Sequence, residues 1–239
     1  MLADALHRPA QTGKLRRDVH LHGTSLNELL GFIADSLPSW REDVNRARVD
    51  AEDALTSQLA AFLNSKARCS DGWDCLQFRT EVPDEQQKNR SIDLVPSPCG
   101  AIVWVEGRRC SEYDTLLPIE CKRLPTPKGA GRDEWEYVIN RSKTTGGIQR
   151  FKAGHHGAQH NLAAMIAYIQ DDSIQTWHNR ISTWIGSLAQ SRYAGWSEHD
   201  LLSMVPGNGR EGLAILESVH SRGNALPDIV LKHLWIVMG

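Results

Sequence analysis

Near residue 75 the spacing of apolar residues changes from helical to alternating, and few architectures accommodate both patterns around one core. In "TSLNELLGFIADSL", Ser25 stands three residues before Glu28, a capping-box spacing, and Leu26, Leu29, Leu30, Ile33 and Leu37 share one helical face. Pro38 is expected to end this helix. A second helical pattern runs from about 41 to 67, with Leu55, Leu59, Phe62 and Leu63 as its stripe and Glu52 off the stripe's centre. Beyond it, "CLQFRTEV", "SIDLVP", "AIVWVEG" and "LLPIECKRL" are short β-prone runs between Pro, Gly and charged turns, which predicts a meander of three or four strands.

A polar connection with a predicted helix over 134–152 leads to the apolar run "LAAMIAYIQ" at 162–170. Read as a strand, this run makes a strand–helix–strand crossover and so a parallel pair. Its alanines also allow the start of one long helix continuing through "SIQTWHNRISTWIGSLAQ". That segment is itself amphipathic, capped near Asp172 or Ser173, with Ile174, Trp177, Ile181, Trp184, Ile185 and Leu188 facing one way. "DIVLKHLWIVM" reads as a buried final strand. The division expected is a mobile polar leader, 1–23, and one domain over 24–239, its core at about 45–170 and a C-terminal helix and strand over 171–239.

The net charge of −2 excludes a uniformly basic polyanion binder, so a nucleic-acid partner would need a local patch. Between 122 and 152 there are eight basic residues against three acidic ones. Five cysteines without a CxxC pair suggest neither a zinc ribbon nor a disulfide framework, and a reducing cytoplasm is the simplest setting. No apolar run is long enough to span a bilayer, so no membrane partner is expected.

"LPIECKRL" carries opposite charges, Glu120 and Lys122, on one face of an otherwise apolar strand. An exposed ion pair of this kind contributes only about 0–1 kcal/mol. Upstream, "SIDLVP" holds one carboxylate, Asp93, among apolar neighbours, and Glu52 lies on the preceding helix. If the two strands pair, Asp93 and Glu120 converge, and two close carboxylates repel unless a cation or a proton lies between them. Oxygen ligands suit Mg²⁺ or Mn²⁺.

With Asp93 in "RSIDLVP", Glu120 and Lys122 in "ECK", and Glu52 upstream, the chain resembles the PD-(D/E)xK nuclease superfamily over about residues 45–170. Ile92 stands where many members have Pro, and 26 residues separate Asp93 from Glu120. The resemblance implies an α/β fold, the restriction-endonuclease-like αβββαβ core, with a mixed central sheet flanked by helices and an N-terminal helical extension. It implies a Mg²⁺- or Mn²⁺-dependent phosphodiester hydrolase, an endonuclease on DNA rather than RNA, of the kind found in bacterial restriction or phage defence and often a homodimer. Asp93, Glu120, the Cys121 carbonyl and Glu52 would hold the ion, Lys122 would stabilise charge at the reacting phosphate, and Gln149 would hold a water or phosphate. Arg123, Arg150, Lys152, His155 and His156 would face the substrate.

Two other readings compete. A catalytically silent nucleic-acid-binding or assembly module would use the same fold. A zinc-dependent hydrolase would use "GHHGAQHN", where His156 and His160 have i, i+4 spacing but Gly154 and Gly157 oppose a helix. Trp73 and Trp135, in polar stretches, are candidates for stacking on bases.

Overall fold

The computed structural model describes residues 24–84, 90–129, 132–143, 145–207, 210–223 and 225–239; the expected leader lies outside them. Two N-terminal helices precede a mixed seven-stranded sheet. α1 (Thr24–Glu42) starts one residue before Ser25 and runs through Pro38. Pro38 removes one backbone donor, but Leu37 and Trp40 on either side are buried, and their packing carries the helix past it. α2 (Glu52–Arg68) is shorter than its pattern predicts. The segment before it turns instead, with Asp43 Oδ1 accepting from the Asn45 N–H, so Glu52 opens the helix.

β1 (Leu76–Pro83), β2 (Ser91–Pro98) and β5 (Ile119–Leu124) are neighbours, each pair antiparallel. The run "AIVWVEG" does not join them. Its β3 (Val103–Val105) pairs with β4 (Arg108–Cys110) in a separate two-stranded sheet, the two joined by a tight turn in which Glu106 and Gly107 take positive φ. α3 (Gly147–Lys152) leads to β6 (Leu162–Ile169), which is a strand parallel to β5 along its length. α4 (Ile174–Gln190) is capped by Ser173, whose Oγ accepts from the Thr176 N–H. After it come β7 (Ser203–Met204), β8 (Leu213–His220) and β9 (Ile229–Val237). The order is β1-β2-β5-β6-β9-β8-β7, with β5, β6 and β9 mutually parallel and an antiparallel group at each side. The tail is therefore more than the expected helix and strand.

Strand alternation divides the core in two. Ile119, Cys121, Ala164, Ile166, Leu234 and Ile236 face α1 and α2; Leu124, Ala163, Met165, Leu231 and Trp235 face α4. The outer edge of β1 is covered: the Asn64 amide accepts from the Phe78 N–H and donates to the Phe78 carbonyl, as a neighbouring strand would. No described helix is long and apolar enough to cross a membrane.

Candidate functional site

β5 pairs with β2 at a single position, Ile119 with Leu94, and the two strands then part. In a strand, alternate residues send their backbone groups to the same edge, so Cys121 and Arg123 are left facing the gap. Carboxylates fill it. Asp93 Oδ2 accepts from the Cys121 N–H at 2.8 Å, and Glu52 Oε2 accepts from the Arg123 N–H at 2.9 Å. The place of Glu52 at the start of α2 supplies the second of these. Both acids thus stand in for a missing strand, and both are brought to the Glu120–Lys122 segment.

The Lys122 ammonium is the centre of the cluster. Its Nζ lies 2.9 Å from Glu52 Oε1, 3.0 Å from Glu120 Oε1, 3.4 Å from Asp93 Oδ2 and 2.7 Å from the Cys121 carbonyl oxygen. Glu120 is fully buried and Lys122 nearly so. Burial opposes the ammonium, yet Glu120, Asp93 and Glu52 hold its pKa well above the ordinary lysine range. Burial likewise opposes the Glu120 carboxylate, but Lys122, His156 and Arg150 hold it well below the usual range. Asp93 differs: burial and then Glu120 push it up to about 7, against Lys122 and the Cys121 N–H. The site therefore contains one firmly ionised carboxylate and one that titrates near neutrality.

α3 and the loop after it close the cluster from the far side. Gly146, at φ +111°, turns the chain, and at Gly147 a Cβ would overlap the Tyr137 carbonyl. The first three N–H groups of α3 donate to the carbonyls of Glu136, Tyr137 and Val138, satisfying donors that a helix start leaves open. So fixed, α3 presents Arg150 Nη1 to Glu120 Oε1 at 2.5 Å. His156 Nδ1 lies 3.3 Å from Glu120 Oε2 without the alignment for a hydrogen bond, and that oxygen stays buried and unbonded. A cavity of about 330 Å³ opens on the cluster, walled by Glu52, Asp93, Lys122, Arg150, His155 and His156 and also by Arg90 and Arg132.

Several predicted residues lie elsewhere. The helix expected over 134–152 exists only as α3, because 134–138 is a series of turns. A helix of six residues carries no readable phase, and Gln149 and Lys152, three apart, share the side away from the cavity. Gln149 Oε1 accepts from Trp196 Nε1 at 2.6 Å, and Lys152 Nζ donates to Asp200 Oδ1 at 2.7 Å. Arg123 contributes its backbone N–H to Glu52, and its side chain is not part of the cavity wall. The Cys121 thiol, raised by burial, points into the core, and only its backbone N–H and carbonyl meet the cluster. His156 and His160 do not form a chelating pair: Gly154 and Gly157 take positive φ, the segment is a turn, and His160 lines a different cavity, of about 720 Å³. Trp73 stacks on Phe32 and Trp135 on Trp184.

Arg90 belongs to no motif, and its charged stretch reads in the sequence as a turn between strands. Its spacing was the available signal, since it lies three residues before Asp93. Among the described residues, no group of three or more Asp, Glu, His or Cys side chains closes into a metal cage. What the cluster offers instead is a set of hard oxygens already gathered on one cation, with Glu120 Oε2 unbonded beside it. Those donors fit Mg²⁺ or Mn²⁺ and do not suit a soft metal. Comparison of the chain with protein-family models, with curated proteins and with solved structures finds no match.

Proposed function

We propose that the protein is a divalent-metal-dependent phosphodiester hydrolase, an endonuclease acting on DNA, on a restriction-endonuclease-like core. One observation carries this reading: Glu52, Asp93, Glu120 and the Cys121 carbonyl direct oxygens onto a single positive centre. Asp93, Glu120 and the Cys121 carbonyl would hold Mg²⁺ or Mn²⁺, with Glu52 direct or through water. The ion, when bound, supplies Lewis-acid polarisation of a phosphate oxygen and a more acidic water. Lys122, released toward the cavity, would then stabilise the charge that grows on the phosphate, a task suited to a compact ammonium. Arg150 keeps Glu120 ionised, and Asp93, with its raised pKa, would release its proton to water when a cation takes the proton's place. Bacterial restriction or phage defence is the setting this chemistry fits.

The test is incubation of wild type, Asp93→Ala and Lys122→Ala with plasmid, linear and single-stranded DNA, and RNA, with Mg²⁺, Mn²⁺ or EDTA. Cleavage that requires the ion and both side chains is expected. Binding without cleavage in every metal would overturn the enzymatic reading. It would favour a silent nucleic-acid-binding module, a reading supported by the way Lys122 already neutralises the carboxylates.

A further inference from the structure

Once the ion pairs around the 330 Å³ cavity are assigned, some of its hydrogen-bonding nitrogens remain unused. Lys122 is engaged by Glu52, Asp93 and Glu120, Arg150 by Glu120, and Arg132 by Glu136. Two nitrogens on the same wall are left over. Among the described residues, Arg90 Nη1 and His155 Nδ1 are both shielded from solvent and have no hydrogen-bond partner.

A buried polar nitrogen without a partner costs free energy, which a bound ligand oxygen would offset. Burial and then Arg90, His156 and Arg150 hold the His155 imidazole below its ordinary pKa, and Asp84 is the carboxylate that opposes them. One His155 tautomer presents an Nδ1–H to the cavity, and Arg90 is a permanent cation. The planar guanidinium matches a phosphate's oxygens, and an imidazole N–H adds a second donor.

We propose that Arg90 and His155 form a second phosphate subsite, separate from the Lys122 cluster, which holds the phosphate next to the scissile one on the same strand. Its anion chemistry stands by itself; the identity of the substrate as a polynucleotide rests on the nuclease reading. Both groups open on the cavity that Asp93 and Lys122 line, and its volume is in the range of ligand-sized sites, so one strand can engage both. Arg90 precedes Asp93 by three residues, just before β2, so the strand that carries Asp93 also fixes Arg90.

The probe is inorganic pyrophosphate, with inorganic phosphate beside it, titrated in EDTA and read by calorimetry and by the thermal midpoint. Wild type is expected to bind pyrophosphate, Arg90→Ala at least 10-fold more weakly, and Arg90→Lys in between. Asp93→Ala should bind at least as tightly as wild type, because it removes a carboxylate from the cavity. If Arg90→Ala does not fold by circular dichroism, His155→Ala carries the same criterion. Equal binding by wild type and these variants, or none by wild type, overturns the subsite. Arg90-dependent binding without any nucleic-acid cleavage supports the subsite and removes the nuclease reading. Asp93-dependent cleavage with KM unchanged in Arg90→Ala overturns the subsite and leaves the nuclease reading in place.

Discussion

Asp93 Oδ2 accepts, at 2.8 Å, the hydrogen bond that the Cys121 N–H would otherwise give to a neighbouring strand. One oxygen thereby performs two tasks. It ends the pairing of β2 with β5 without leaving a buried donor, and it places a carboxylate beside Glu120 at the point where the sheet opens. The strand edge and the candidate site have the same origin.

The pKa of Asp93 makes this arrangement pH-sensitive. Its folded value, about 7, lies above the ordinary carboxylate value, so its contribution to stability is complete below about pH 4 and is lost as pH rises through 7. Asp93→Asn keeps an accepting oxygen for Cys121 and cannot ionise. It should raise the thermal midpoint relative to wild type by a few degrees at pH 8 and by much less at pH 5. Equal shifts at the two pH values would contradict the raised pKa.

Lys122 has the opposite role, since its ammonium is what allows three acids to share the site. Lys122→Met keeps the volume and removes the charge. Breaking a buried ion pair from one side costs about 3–5 kcal/mol, so the midpoint at pH 7.5 should fall by about 10 °C or more. Lowering the pH to 5, or adding millimolar Mg²⁺, should recover part of the loss by supplying protons or a replacement cation. Thermal melts in a pH and Mg²⁺ matrix measure this, and a midpoint within 2 °C of wild type would show that the cluster is not under charge tension.

The sequence made Asp93, Glu120 and Lys122 legible because alternation in a strand ties facing to parity, and charged residues stand out among apolar ones. Parity also made the β5–β6 parallel pair legible once the crossover was recognised. Phase was the missing quantity elsewhere: α3 is too short to show which of Gln149, Arg150 and Lys152 faces β5. Glu52 was visible as an acid, but its carboxylate reaches Arg123 only because α2 starts at that residue, a boundary that the charged stretch before it hides. β8 was missed because "LAILESVH" mixes polar residues into its inward face. Those polar residues belong to a buried network whose members lie far apart in sequence.

Asn64 offers a test of edge protection. Its amide makes both backbone hydrogen bonds of Phe78 on the free side of β1. Asn64→Ala removes both and uncovers an edge, which should cost about 1–3 kcal/mol and promote self-association through exposed strand groups. The expected readouts are a lowered midpoint and concentration-dependent light scattering near the transition. Asn64→Ala that remains as soluble and as stable as wild type would mean that another group covers this edge.

The buried network joins Trp235, Tyr137, His233, Ser218, His220, Asp200 and Lys152, and its proton positions follow from its ends. Lys152 and His220 Nδ1 both meet Asp200 Oδ1, at 2.7 and 2.6 Å. Burial opposes ionisation of Asp200, but these two partners hold it down at about 2, so it only accepts. Burial also lowers the pKa of His220, and lowers that of His233 well below the ordinary range, so both rings are neutral at pH 7. His220 must then donate from Nδ1 and accept at Nε2 from the Ser218 hydroxyl, 2.7 Å away. With the serine proton used, His233 donates to Ser218 Oγ from Nε2 at 2.8 Å and accepts at Nδ1 from the Tyr137 hydroxyl at 2.7 Å. The tyrosine oxygen accepts from Trp235 Nε1. Nitrogen-detected NMR at pH 7 should find His220 as the Nδ1–H tautomer and His233 as the Nε2–H tautomer; the reverse assignment for either breaks the chain of donors. Because both histidines have depressed values when folded, their contribution to stability is present above about pH 6.5 and is lost as pH falls toward those values. Ser218→Ala leaves His220 without a donor and His233 without an acceptor, at about 1–3 kcal/mol for each, so its midpoint should fall clearly at pH 7. The NMR spectrum of the folded variant should then show His233 or His220 shifting its tautomer balance, a change that lost packing alone would not produce.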